Sequence, residues 1–216
     1  MILLIMGKGC AGKTYFREYM RKKGIITYEA SDYIKKAKNK YEIESTRELL
    51  DKLGNEYAAK VIYDDINNKN ILENDIVISG FRTLEEVDYI TNRVGKKNTT
   101  IVVIEANNFI CYLRNLKRNR KDKKKGFLDF YRRQKEDALL GFDSIIKKYP
   151  VTYIKNNSSI KSFEEKIQQF ISSLIIINST RRSNFDEDIK VKTDIISTIN
   201  ANEKRNNEKS DRFIER

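Results

Sequence analysis

The chain has 216 residues, with 43 Lys and Arg against 31 Asp and Glu, a formal net charge of +12 and no histidine. That length accommodates one ordinary domain with a substantial core and a short appendage. Two cysteines, Cys10 and Cys111, do not make a disulfide framework, and the lack of histidine excludes a Cys/His metal site and every histidine-dependent triad.

The first strand is predicted at Ile2 to Met6, where a continuous apolar run suits the centre of a parallel sheet covered on both faces. Neither this run nor "SSLIIIN" near Ile175 reaches bilayer length, so a soluble, cytoplasmic protein with no membrane partner is expected. A helix follows from about Lys13 to Lys23, with Gly24 as its C-cap, and "IITYEAS" reads as a second strand leading to Asp32. A long charged helical stretch breaks near Lys40. "STRELLDKLGNEYAAKVIYDDI" then carries helical spacing from Ser45 to Ile66, with Ser45 or Thr46 as cap.

"DIVISGF" and "TTIVVIEA" are two more buried strands, separated by a helix from Leu84 to Arg93. Asn108 to Asn119 and Phe127 to Lys148 read as helical, "VTYIKNN" after Pro150 as the last strand, and Ser162 to Ile177 as a closing helix. Alternation of strand and helix predicts a three-layer α/β fold on a parallel sheet of about five strands over residues 1–177. From about Asn178 to Arg216 the chain is polar, with little hydrophobic periodicity, and reads as a disordered tail that could instead dock on a protein partner. The positive charge is concentrated: between Tyr112 and Lys135 eleven Lys and Arg stand against Asp122 and Asp129. Such a run is either a solvated face or an anion clamp.

Directly between the first strand and the first helix lies "GKGCAGKT", which fits G-x-x-x-x-G-K-[ST] through Gly7, Gly12, Lys13 and Thr14. In such a loop the glycines turn backbone N–H groups onto phosphate oxygens, the lysine bridges the terminal phosphates, and the hydroxyl ligates magnesium. ATP and Mg2+ are therefore the expected ligands. Gly7, Gly9, Cys10, Ala11, Gly12, Lys13, Thr14 and Tyr15 are the expected donor-binding residues, with Cys10 a small filler rather than a nucleophile.

From Met1 to about Ile171 the sequence resembles the P-loop nucleotide kinases, the superfamily of nucleoside monophosphate kinases and dephospho-coenzyme A kinases. "GIITYEASDYIKKA" looks like the segment that delivers an acidic residue, here Asp32, to the acceptor site. "STRELLDKLGNEYAAK" is similar to the acceptor-side helix of deoxynucleoside monophosphate kinases, and "VISGFRTLEEVDYI" to their third-strand motif ending in an arginine, here Arg82. "YLRNLKRNRKDKKKGFLDFYRRQKEDALLG" resembles the arginine-bearing lid, about residues 112–135, and the helix after it. Two departures stand out. Many relatives place an aspartate where this chain has Ser79, which removes a usual contributor to the magnesium site, and "GFRTLEE" lacks the proline-containing segment of a dephospho-coenzyme A kinase.

The resemblance implies transfer of the terminal phosphoryl group of ATP to a nucleoside or deoxynucleoside monophosphate. Lys13, Arg118 and Arg120 would neutralise the migrating group, with Arg114 close behind on the donor side and Arg132 and Arg133 within reach. Arg114 and Arg118, four residues apart, would share a helix face. Asp32 would orient the acceptor, though it also suits the N-cap of a helix beginning near Tyr33. Arg47 and Arg82 would hold the acceptor's own phosphate; Tyr33, Tyr57 and Phe81 suit either base stacking or the core. The alternatives are a kinase for dephospho-coenzyme A or another small alcohol, and a nucleotide-binding regulator or nucleic-acid-associated P-loop protein without kinase turnover.

Overall fold

Strand β1 (Ile2–Met6) is buried along its whole length, as its uninterrupted apolar sequence requires. The computed structural model, which describes residues 1–118, 126–139 and 141–174, places it at the centre of a five-stranded sheet in the order β2-β3-β1-β4-β5. The other strands are β2 (Ile26–Glu29), β3 (Ile76–Ser79), β4 (Thr99–Glu105) and β5 (Val151–Lys155). Every pairing is parallel. The architecture is the expected three-layer α/β fold.

Helix α1 (Lys13–Lys22) buries Phe16 and Met20, one turn apart on one face, and ends ahead of Gly24. Helix α2 runs Ala30–Tyr41 and stops at Glu42, which takes a left-handed conformation at φ 55°. The stretch from Ser45 to Ile66 is two helices, not one: α3 (Thr46–Leu53), capped by the Ser45 hydroxyl, and α4 (Tyr57–Asn68). Gly54 separates them, because its extended, positive-φ backbone cannot continue a helix.

Helix α5 (Leu84–Val94) opens with a capping box in which Thr83 and Glu86 satisfy each other's backbone N–H groups. Beyond β4 come α6 (Asn108–Lys117), α7 (Phe127–Leu139) and α8 (Phe142–Lys148); the region from Phe127 to Lys148 is thus also divided, at Gly141. Residues 160–174 are helical. The chain divides into two units, Met1–Phe163 and Glu164–Arg216. Residues 119–125, with Arg120, and the polar stretch 178–216 lie outside the described residues.

A large core cluster joins Ile2, Leu4 and Met6 of β1 to Ile62 and Ile66 of α4, Val87 and Ile90 of α5, and Ile76 and Ile78 of β3. Phe81 belongs to it, and Tyr33 packs against it, while Tyr57 packs on a smaller cluster around Leu49. Register does the rest of the positioning: Ser79 of β3 pairs with Ile5 of β1 on one side and Glu29 of β2 on the other. The segments that leave these three strands therefore emerge side by side at the carboxyl end of the sheet, where ligands bind in open parallel sheets.

Candidate functional site

The loop after β1 coils around its own lysine. Lys13 Nζ donates to the carbonyl oxygens of Gly7 at 2.6 Å and Lys8 at 2.9 Å, and the Ala11 N–H donates to Lys8 O at 3.2 Å. Gly12 has φ +124°, and a Cβ there would collide with the Asn156 amide. Only glycine fits.

The outer face of the loop is bound by side chains from distant elements. Asn156, just beyond β5, donates from Nδ2 to Ala11 O at 2.7 Å. Arg114 of α6 reaches Cys10 O and Ala11 O at 3.5 and 3.4 Å and the Asn156 carbonyl and carboxamide oxygens at 3.0 and 3.1 Å. Its guanidinium thus sits behind the loop, on protein oxygens. Arg118 parts from it, because it is the C-cap of α6 with extended backbone, φ −76° and ψ 131°, so the shared helix face ends before it.

A cavity of about 350 Å3 opens in front of the loop, with Lys13 and Thr14 in its wall and Asp32, Lys35, Arg82 and Arg118 around it. Gly7, Gly9, Cys10 and Gly12 line it as well. Tyr15 and Arg47 do not: Tyr15 stands by Phe163, ring centroids 6.0 Å apart, and Arg47 is exposed on α3. Asp32 lies in the first turn of α2, which starts at Ala30, three positions earlier than its capping role required, and pairs with Lys35 at 3.4 Å. Arg132 is exposed and 3.9 Å from Asp129.

Glu29 is the carboxylate that the sequence reading passed over. It lines the cavity and accepts from Arg17 Nη1 at 2.8 Å, Ser79 Oγ at 2.6 Å and Ser31 Oγ at 3.2 Å. A Cβ at Gly80 would run into Glu29 Oε1, so the glycine after Ser79 clears room for this carboxylate. The arrangement accounts for Ser79: an aspartate there would set two carboxylates against each other, whereas a buried hydroxyl donates to one. Signal for Glu29 existed in "YEASD", an acid at the end of a strand.

Behind Arg82, the Glu86 carboxylate is buried and accepts from the backbone N–H groups of Arg82 at 2.7 Å and Thr83 at 3.1 Å. Burial raises its pKa from 4.5 to about 7, against the lowering effect of those hydrogen bonds and of the Arg82 charge. Below 4.5 both folded and unfolded chains are protonated at this site; as pH rises toward 7 the unfolded chain ionises first, so stability is lost across that window. A Glu86→Gln variant keeps an acceptor for both N–H groups. It is expected to flatten this slope and to gain up to about 3 kcal/mol near pH 8 in denaturant titrations. An unaltered pH profile would contradict that role.

The two cysteines are free and buried, and burial raises the pKa of the Cys111 thiol, so its surroundings do not poise Cys111 as a nucleophile. No cluster of three or more Cys, Asp or Glu able to hold a metal ion occurs among the described residues. No helix among them is long and apolar enough to cross a membrane.

A strand, a glycine-bearing loop and a helix around a lysine, on a parallel sheet in this order, define the P-loop kinase fold. The chain is similar to shikimate kinase from Bacteroides thetaiotaomicron, at TM-score 0.51 and 16% identity over 81% of this chain and 98% of that one. In sequence it is similar to a UPF0200 protein of Methanopyrus kandleri, 23% identical over 178 residues, 81% of this chain and 91% of the relative. A UPF0200 protein of Sulfurisphaera tokodaii is 26% identical over 180 residues, 81% and 97% of the two chains. No protein-family model matches.

Proposed function

We propose that the protein is an ATP-dependent phosphotransferase acting on a nucleoside or deoxynucleoside monophosphate. The observation that carries this reading is one cavity whose lining brings Lys13 and Thr14 together with Asp32, Lys35 and Arg82. Phosphoryl transfer demands positioning and charge neutralisation more than covalent chemistry. Lys13 and the loop N–H groups bind the terminal phosphates, and Arg118 adds a second cation to the same space. Arg114 supports the loop from behind, as a positioning residue.

On the acceptor side Arg82 and Lys35 hold the monophosphate, in place of the Arg47 expected from sequence. Phe142, which lines the cavity at the start of α8, offers a ring to the base. The donor set also suits magnesium, which is held mostly by phosphates and water and needs few protein ligands. The Thr14 hydroxyl and Glu29 carboxylate would hold it, and when bound it would neutralise phosphate charge.

One observation favours a second reading. Two carboxylates, Glu29 and Asp32, face the acceptor space, and an alcohol acceptor must lose a proton where a phosphate arrives ionised. That acceptor would be a small-metabolite alcohol. Incubation with γ-labelled ATP and magnesium, across nucleoside and deoxynucleoside monophosphates and small anionic alcohols, tests both. Label is expected in one monophosphate; label only in an alcohol would establish the second reading. ATP binding without transfer to any acceptor would overturn both.

A further inference from the structure

Three consecutive carbonyls of the phosphate loop are held by side chains from other elements. Arg114 and Asn156 take those of Cys10 and Ala11, and Gln134 Nε2 of α7 donates to Gly9 O at 2.9 Å. A peptide unit is planar, with C=O and N–H pointing opposite ways, so a side chain that holds a carbonyl also fixes the direction of the next N–H. The Ala11 N–H is used within the loop. The N–H groups set by the outer two pins are those of Cys10, fixed by Gln134, and Gly12, fixed by Arg114 and Asn156.

Gln134 differs from the other two pins. It lines the cavity itself, yet is only 5% exposed, and its Oε1 is buried with no hydrogen-bond partner among the described residues. A buried acceptor without a donor is destabilising. An apolar side chain of equal length would fill the same space without that cost, so packing alone does not account for the glutamine. Its Nε2 lies 3.2 Å from where a Cβ on Gly9 would stand, which makes the contact tight as well as directional.

We propose that Gln134 is a positioning residue of the donor loop: its carboxamide holds the Gly9–Cys10 peptide with the N–H turned toward the terminal phosphates of a nucleoside triphosphate. The same bond ties α7 to the loop. This assignment rests on the donor half of the proposed function.

The test is calorimetric titration of the full chain with MgATP and, separately, with inorganic tripolyphosphate, for the wild type and Gln134→Met. The methionine keeps the volume and removes both the donor and the unpartnered oxygen. Both probes are expected to bind more weakly by a similar factor, on the order of three- to tenfold, with an unchanged or higher melting temperature. Gln134→Ala is expected to weaken both probes likewise, and serves as the second variant. Unchanged affinities in folded Gln134→Met, or a loss confined to MgATP while tripolyphosphate binds as before, would overturn the assignment. Failure of the wild type to bind either probe would instead overturn the donor-loop reading itself, and this inference with it.

Discussion

Lys13→Ala is expected to lower phosphoryl transfer about a thousandfold while leaving the melting temperature within a few degrees of the wild type. The ammonium makes its contacts with the carbonyls of Gly7 and Lys8, so it sits over the loop rather than inside the core. Charge gathers on the terminal phosphate oxygens in the transition state, and a fixed cation preorganised to face them is worth far more than one in bulk solvent. Removing one such preorganised group typically costs on the order of a hundred- to a thousandfold in turnover. Initial-rate measurements with the variant, beside a thermal melt, check this. A variant that retains full ATP-dependent turnover would remove Lys13 from the chemistry.

Glu29→Gln is expected to lower turnover by on the order of a hundredfold. The amide can still accept from the Ser79 hydroxyl, so the cluster with Ser31 and Ser79 keeps its shape; what disappears is the charge paired with Arg17. The Arg17–Glu29 pair is 17% and 16% exposed, too sheltered to be a bare surface bridge and too open to carry the full cost of a buried one. A stability loss of about 1 kcal/mol is expected from it. Turnover that survives in Glu29→Gln but falls in Asp32→Asn would transfer the role to Asp32.

The loop was legible in the sequence because its parts are contiguous: an apolar strand, the spaced glycines, Lys13 and Thr14, then a helix. The parallel sheet was legible for a similar reason, since strands covered on both faces carry unbroken apolar runs. Glu29 was hidden because its importance comes from pairing with Ser79, fifty residues away, and an acid at a strand end looks like an ordinary boundary. In sequence alone Ser79 looks like a defect in the metal site, whereas in the fold its hydroxyl serves the neighbouring carboxylate.

Arginines were the least legible. Their charge is visible in sequence, but their direction depends on where a helix stops. Arg114 lies within α6 and turns behind the loop, and Arg118 lies one residue past its end and lines the cavity. Arg47 had an apt position in a helix that ends at Leu53 and leaves it exposed. Lys35, one turn into α2, and Phe142, after the break at Gly141, entered the cavity through helix boundaries that periodicity alone had blurred.

The most direct test of the account is calorimetric titration of the full chain with MgATP, repeated with Lys13→Ala. One site per chain, lost or greatly weakened in the variant, is the expected result. Absence of binding by the wild type, or binding that Lys13→Ala leaves intact, would contradict the assignment of Gly7 to Thr14 as the donor loop on which the proposed reaction depends.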